Sequence, residues 1–414
     1  MLELLGGWTS DMWGPVINLF SFIPSYAWML VVFTILLKIV LSPLDFWQRK
    51  VSRDSMIKQA KLQPEIEKLQ KKYGNNQQML NQQTMLLYKR EKYNVVGSCL
   101  SMILNMAITL FVFITLFTAL GEISSDKMYK QYTEMQASYN TTYQAEFVNE
   151  YGLDIDGKSQ NEINVIIETK ENELIDAQKT IAEQKLLEEH AGEDGYAPTE
   201  AEINVKAAEL AYLEEGWNGV ITKAQEDASK KYEEVKDEWL WVKNIWRPDT
   251  AVAAFPDFDA FMASSSFKTQ EFYTTVMNDE GLTEAEKKAI MDEWRAEYNV
   301  ITAKAQANYS GWNGCFLLVV LAGVVTYLSS VITQRMSGNN QATGGMKFMK
   351  WLLPILMVIF TISYSAAFAL YIVVNAIMSL IFSLIATKIF NKKGGEQPQI
   401  EVKTQKRPNV EYSR

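Results

Sequence analysis

Cysteine and histidine are almost missing from this chain. Two cysteines in 414 residues, Cys99 and Cys315, cannot build a disulfide scaffold or a Cys-type zinc site. The single histidine, His190, stands in a Glu-rich stretch, which argues against a His-based metal centre or proton relay. No metal and no cofactor are therefore expected. Charge is missing in a second, more informative way. Asn94–Gly121, Ala305–Gln334 and Trp351–Thr387 carry no Asp, Glu, Lys or Arg. Acidic residues are also scarce outside the middle of the chain. Residues 121–311 hold 39 of the 49 acidic and 18 of the 40 basic side chains, a net of −21, and the remainder carries a net of +12. The mean hydropathy of −0.10 thus averages an acidic polar block with a basic, strongly apolar frame.

A helix crosses the hydrocarbon in about 20 residues, so the first two charge-free runs each supply one span. The third run has 37 residues, roughly 55 Å as one helix at 1.5 Å per residue. It reads better as two short spans with a turn near Ser363–Ala367. A further span is Tyr26–Leu44, interrupted only by Lys38. Met12–Ile23 is too short to cross and is expected along the interface. The fold class is therefore all-α, a polytopic membrane protein with five spans. The expected segments are an interfacial helix in 1–24, the first two spans in 25–120, and the acidic insert in 121–311. The last three spans follow in 312–391, then a basic tail in 392–414.

Basic residues near span ends set orientation. Residues 1–24 contain no Lys or Arg, whereas 45–96 contain eleven. Arg335, Lys347 and Lys350 flank the next loop of that side, and the tail adds Lys388, Lys392 and Lys393. The expected topology places the N-terminus and the acidic insert outside, and the 52–93 segment and C-terminus in the cytoplasm. Residues 52–93 read as two amphipathic helices around the turn signal Gly74-Asn75-Asn76. Leu62, Ile66, Leu69 and Tyr73 form a heptad seam in the first arm, and Met79, Leu80, Leu86 and Leu87 face it from the second. A plain solvated connector is the alternative.

The strings LQPEIEKLQKKYG (Leu62–Gly74) and QQTMLLYKREKYN (Gln82–Asn94), followed by GSCL opening a span, resemble the YidC/Oxa family of membrane protein insertases. So do ILLKIVLSPL (Ile35–Leu44), MKFMKWLLPILMVIF (Met346–Phe360) and LYIVVN (Leu370–Asn375). The likeness covers about 1–120 and 312–391. Val95, Ser101 and Ala107 stand where the family usually has prolines, and the long acidic insert is unusual. The chain looks like a divergent Gram-positive-type member, which implies a multi-pass protein of a bacterial cell membrane. The resemblance implies a non-enzymatic insertase and chaperone that moves nascent membrane segments through a hydrophilic groove open to cytosol and lipid. It implies nascent membrane proteins, the ribosome and membrane lipids as partners. Work beside the Sec translocon, and a partner for the acidic insert, stay open.

Lys38 lies about 9 Å inside its span at 1.5 Å per residue. A charge there costs ~2.5–3.5 kcal/mol on insertion scales and faces a wet cavity or a partner, unless it snorkels to the surface. The resemblance makes it the groove cation. Asn105 and Thr109 share one helix face, Ser329, Ser330 and Thr333 cluster on the third span, and Tyr371 and Asn375 share a face on the fifth. Each group alone could be helix–helix glue. Together they suggest one wet site to which all the spans contribute. Leu62, Gln63, Pro64, Ile66, Leu69 and Tyr73 carry the hairpin. Replacing Lys38 with Leu is expected to spare folding, since it removes an expensive intramembrane charge.

Other readings compete. A channel or transporter would leave the basic hairpin unexplained and lacks an inverted repeat. A surface receptor would use the acidic insert as a ligand trap. Gly152–Ser159 fits the phosphate-loop pattern, but Gln144–Tyr151 is not strand-like and Asp154 and Asp156 would repel phosphate. A calcium loop there lacks its first acidic ligand. The insert itself reads as helices over 162–189, 201–215, 221–246 and 284–308, with capping boxes at Thr199/Glu202 and Thr283/Glu286. Its aromatics, among them Trp217, Trp239, Trp241, Trp246, Phe255, Phe258 and Phe261, imply a core or a partner surface. Gly216–Gly219 and Gly311–Gly314 repeat the same four letters.

Overall fold

The computed structural model describes residues 8–91, 95–191, 196–336 and 344–393. The extreme N-terminus and the basic tail beyond residue 393 lie outside the described residues. Among those described, the chain is all-α, with only isolated bridges in place of strands. In order it forms α1 (Trp8–Asn18), α2 (Tyr26–Tyr73), α3 (Gln77–Arg90), α4 (Val95–Tyr151), α5 (Gln160–Glu189) and α6 (Glu200–Tyr212). Then come α7 (Glu215–Val235), α8 (Phe258–Ser264), α9 (Glu271–Asn278), α10 (Glu284–Asn308), α11 (Leu317–Met336), α12 (Gly344–Ser363) and α13 (Ala366–Lys393). Two compact units result: Met1–Gly121 with Phe316–Arg414, and Glu122–Cys315.

In the first unit, stretches of α2 (Tyr26–Val51), α4 (from Met106) and α13 (Ala366–Ala386) are long and apolar enough to cross a membrane by length and composition. Leu317–Ile332 of α11 and Pro354–Ser363 of α12 are shorter apolar stretches among the described residues. The break between α12 and α13 falls at Tyr364-Ser365, where the sequence places the turn. Helix α2 runs through Pro43 without ending. Proline lacks the N–H that would bond the carbonyl four residues back, which here belongs to Ile39. The Ser42 hydroxyl donates to that oxygen at 2.8 Å, so the splice leaves no orphan acceptor. The first half of α13, Ala366–Val373, is buried and packs on α2 and α11. Phe117 of α4 meets Tyr364 at 4.5 Å and Phe368 at 4.8 Å, both edge-on, the arrangement ring quadrupoles favour. At Gly323 a Cβ would come within 2.8 Å of a Val358 methyl, so any larger residue there would displace that side chain where α11 approaches α12.

The hairpin has no joint at its base, because the apolar span and the first arm are one helix of 48 residues. The arm ends at Gly74, where a Cβ would meet the Gln70 carbonyl at 2.6 Å. Asn76 then caps α3 by accepting from the Met79 N–H at 3.0 Å.

In the second unit, the C-terminal half of α4 carries Met128, Tyr132, Met135, Tyr139 and Phe147 on one buried stripe. One core gathers Tyr132, Tyr232, Phe255, Phe258, Phe261, Phe267 and Tyr298, and a second gathers Phe147, Ile167, Ala211, Trp217 and Val220. Most of the insert's aromatics are therefore core. Burial pushes the Tyr232 hydroxyl up to about 12, so it stays a donor to the Ala254 carbonyl at 3.3 Å. Both expected capping boxes form, and Ser159 with Glu162 makes a third. The phosphate-loop pattern is preceded by α4, a helix, and so lacks the strand such a loop requires. Helix α7 stops at Val235, eleven residues short of the expected 246, because Lys236 turns extended at ψ 140. The two Gly-Trp-Asn-Gly copies differ in structure: the first opens α7, and the second is an extended strip whose Trp312 pairs with Ala253.

Candidate functional site: a polar cleft in the membrane unit

Four of the sequence-derived residues converge. Lys38 from α2, Thr109 from α4, and Tyr371 and Asn375 from α13 line one cleft. On α2 the lining positions 34, 37, 38, 41, 44 and 45 repeat at helical spacing and so form a single face. Tyr371 and Asn375 are one turn apart on the opposing helix. Leu37, Leu41, Leu44, Ile108, Val112 and Phe113 complete walls that are mainly apolar. The cleft has a volume of about 50 Å³, room for a few waters where ~10–15 Å³ holds one.

Two polar residues in it were not singled out on sequence grounds. Thr34 is buried and donates to the Leu30 carbonyl at 2.6 Å, so its hydroxyl is anchored to its own helix. Asp45 lies 3.5 Å from the Lys38 ammonium, with the two side chains 19% and 12% exposed. The signal was present: Asp45 is seven residues after Lys38, two turns along the same face. The site is therefore an ion pair edged by hydroxyl and amide groups, rather than a lone cation. Pairing offsets part of the cost of holding each charge among apolar walls.

The expectation that every span contributes is narrowed to three helices among the described residues. Ser330 is half-buried on α11 and does not line the cleft. The side chains of Asn105 and Thr333 lie outside the described residues. In the hairpin, Leu62 is buried and Ile66, Leu69, Tyr73 and Gln63 are half-buried, while Pro64 is exposed. Across from them Leu87 is buried and Leu80 half-buried. Met79 and Leu86 are exposed, so the second arm presents fewer seam residues than its sequence suggested. Arg90 of α3 pairs with Glu65 of α2 at 2.5 Å and clips the arms together.

Comparison with known proteins bears on this geometry. Residues 18–152 match the family model described as 60Kd inner membrane protein. Over that third of the chain it is similar to the YidC/Oxa family. Similar proteins named Membrane protein insertase YidC occur in Leptospira interrogans (39% identical over 100 residues, 24% of this chain and 15% of that one) and in Fusobacterium nucleatum (40% over 93 residues, 22% and 43%). Another, from Oleidesulfovibrio alaskensis, is 35% identical over 118 residues, 28% of this chain and 21% of its own. The chain thus spans between 15% and 43% of the length of these relatives. No solved structure matches it. The matched stretch takes in Lys38, Asp45, the hairpin and Thr109, whereas Tyr371 and Asn375 lie outside it and are brought to the cleft by the fold.

Proposed function

We propose that this chain is a membrane protein insertase of the YidC/Oxa kind, with the cleft as the place where a client's polar flank is sheltered on its way through hydrocarbon. The observation that carries the reading is the convergence of Lys38, Asp45, Thr109, Tyr371 and Asn375 in an otherwise apolar helical unit. Desolvating an unpaired polar group costs several kcal/mol. Hydroxyl, amide and ionic partners partway across lower that cost, and the client's apolar part slides past into lipid. No bond is made or broken in the chain. The clients are nascent membrane proteins, delivered by the ribosome to the basic hairpin on the cytoplasmic side, with the acidic unit outside. The Sec translocon is a neighbour the mechanism permits but does not need.

The test is reconstitution of the full chain in liposomes with in vitro translation of a single-span client carrying a short polar flank. Protease protection of that flank should rise with the protein present and fall when Thr109, Tyr371 and Asn375 are replaced together by apolar residues of similar size. Equal protection by that triple variant, shown to be folded, would refute the cleft as the route. Co-sedimentation with ribosomes, compared with a variant lacking 52–93, tests the hairpin's part.

A further inference from the structure

The acidic unit has one face unlike the rest of it. Trp239 and Val242 exchange both backbone hydrogen bonds, at 2.9 and 2.8 Å, which closes a two-residue turn on Leu240 and Trp241. Leu240 holds φ at 51°. Such turns take glycine or asparagine there, because an L side chain in that region is strained. Yet Leu240 is 70% exposed, so nothing within the chain repays the strain by burying it. Strain kept at an exposed position points to a function outside the fold.

The turn is fastened to a second strip. Lys243 N–H donates to the Asn313 carbonyl at 3.0 Å, Asn313 N–H to Val252 at 2.8 Å, and Ala254 N–H to Gly311 at 3.0 Å. Trp312, 62% exposed, lies on that strip. The buried Asn313 side chain locks the assembly, accepting from Asn244 N–H and donating to the carbonyls of Asn244 and Pro248. Residues 239–242, 250–256 and 305–315 contain no charged side chain, although the unit around them is strongly acidic. Charge-free segments, the apolar Leu240 tip and the exposed Trp312 indole therefore share a face, with Trp239 and Trp241 half-buried beside them.

Its occupant follows from chain connectivity. Helix α11, apolar from its first residue, begins at Leu317, five residues after Trp312, so Trp312 is tethered within about 18 Å of that helix start. Tryptophan concentrates at the boundary of bilayer and water, where its ring is sheltered and its N–H stays wet. We infer that the Trp239–Val242 turn and Trp312 form a lipid-interface anchor, with Leu240 inserted among the acyl-chain ends of the leaflet that α11 enters. The acidic remainder of the unit is repelled by anionic headgroups and stays in water. This inference does not depend on the insertase reading.

A nitroxide probe on the full chain in phosphatidylethanolamine/phosphatidylglycerol vesicles tests it. In a background with Cys99→Ser and Cys315→Ser, single cysteines replace Leu240, Trp312 and, as a water-exposed reference, Leu213, which is 71% exposed. Collision rates with oxygen, which partitions into lipid, are compared with those of a water-soluble nickel chelate. The expected result is an oxygen-to-nickel ratio several-fold higher at 240 than at 213, with 312 between them. Nickel access at 240 equal to that at 213 would overturn the anchor. Low access to both reagents at 240 would overturn it too, because the turn would then be buried against protein.

Discussion

Replacing Lys38 with Leu removes a cation but leaves Asp45 in the same cleft without its partner. Lys38 and Asp45 are 3.5 Å apart and the side chains are 12% and 19% exposed. Their gross attraction is about 5 kcal/mol at an effective dielectric constant of 20, most of it offset by desolvation. Exposed pairs return ~0.2–1 kcal/mol, and removing one partner of a fully buried pair costs ~3–5 kcal/mol. Between those limits, Lys38→Leu should destabilise the chain by about 2 kcal/mol, contrary to the expectation drawn from the charge of Lys38 alone. Lys38→Leu/Asp45→Leu should recover most of that loss, because neither charge is then left alone. The assay is thermal unfolding of the full chain in nanodiscs for all four corners of the cycle. A coupling energy under ~0.5 kcal/mol, the level at which independent sites add, would refute the argument. The folded double variant then separates stability from function. Clients with acidic flanks should insert less well with it than apolar ones, and equal insertion would reduce Lys38 to a structural role.

Three further outcomes are expected. Leu62→Ser/Ile66→Ser/Leu69→Ser should open the hairpin, where Leu62 is buried against α3, and raise proteolysis at 74–76; unchanged cleavage would show that the seam does not hold the arms together. Asn313→Ala deletes at least three buried hydrogen bonds, each ~1–3 kcal/mol where a partner is left unsatisfied, so the second unit should melt well before the parent's, and an unchanged transition would show the knot to be dispensable. Burial raises the Glu171 carboxyl above its ordinary value, against the opposing hydrogen bond from Tyr143. A carboxyl raised in the fold binds more protons folded than unfolded, so its contribution falls as pH rises through that window. Glu171→Gln should therefore gain stability relative to the parent at pH 7 and little at pH 4, as read by unfolding at both.

How much of this was legible depended on whether the deciding signal was local. Charge-free runs located the membrane helices, and a Lys inside one of them marked the cleft. Asp45 escaped notice because, at the end of an apolar run, it reads as the first residue of a polar loop; its role appears only when α2 continues past it as helix. The same continuity hid the structure of α4. Charge returns at Glu122, but no proline and no cap stops the helix, which therefore runs on to Tyr151. The stop of α7 at Val235 was obscured in the opposite way, since Glu and Lys continue beyond it while Trp239–Val242 turns back on itself. Ser330 shows the limit of composition: a hydroxyl on an apolar helix names no direction until its neighbours are known.

The ion pair also has a consequence in time. Chain elongation runs at ~5–20 residues per second, and 262 residues separate Thr109 from Tyr371. The cleft thus waits about 13–50 s for α13 at those speeds. Asp45, by contrast, leaves the ribosome seven residues after Lys38. A newly made α2 carries its own counter-ion into the bilayer, long before the helix that completes the site has been translated.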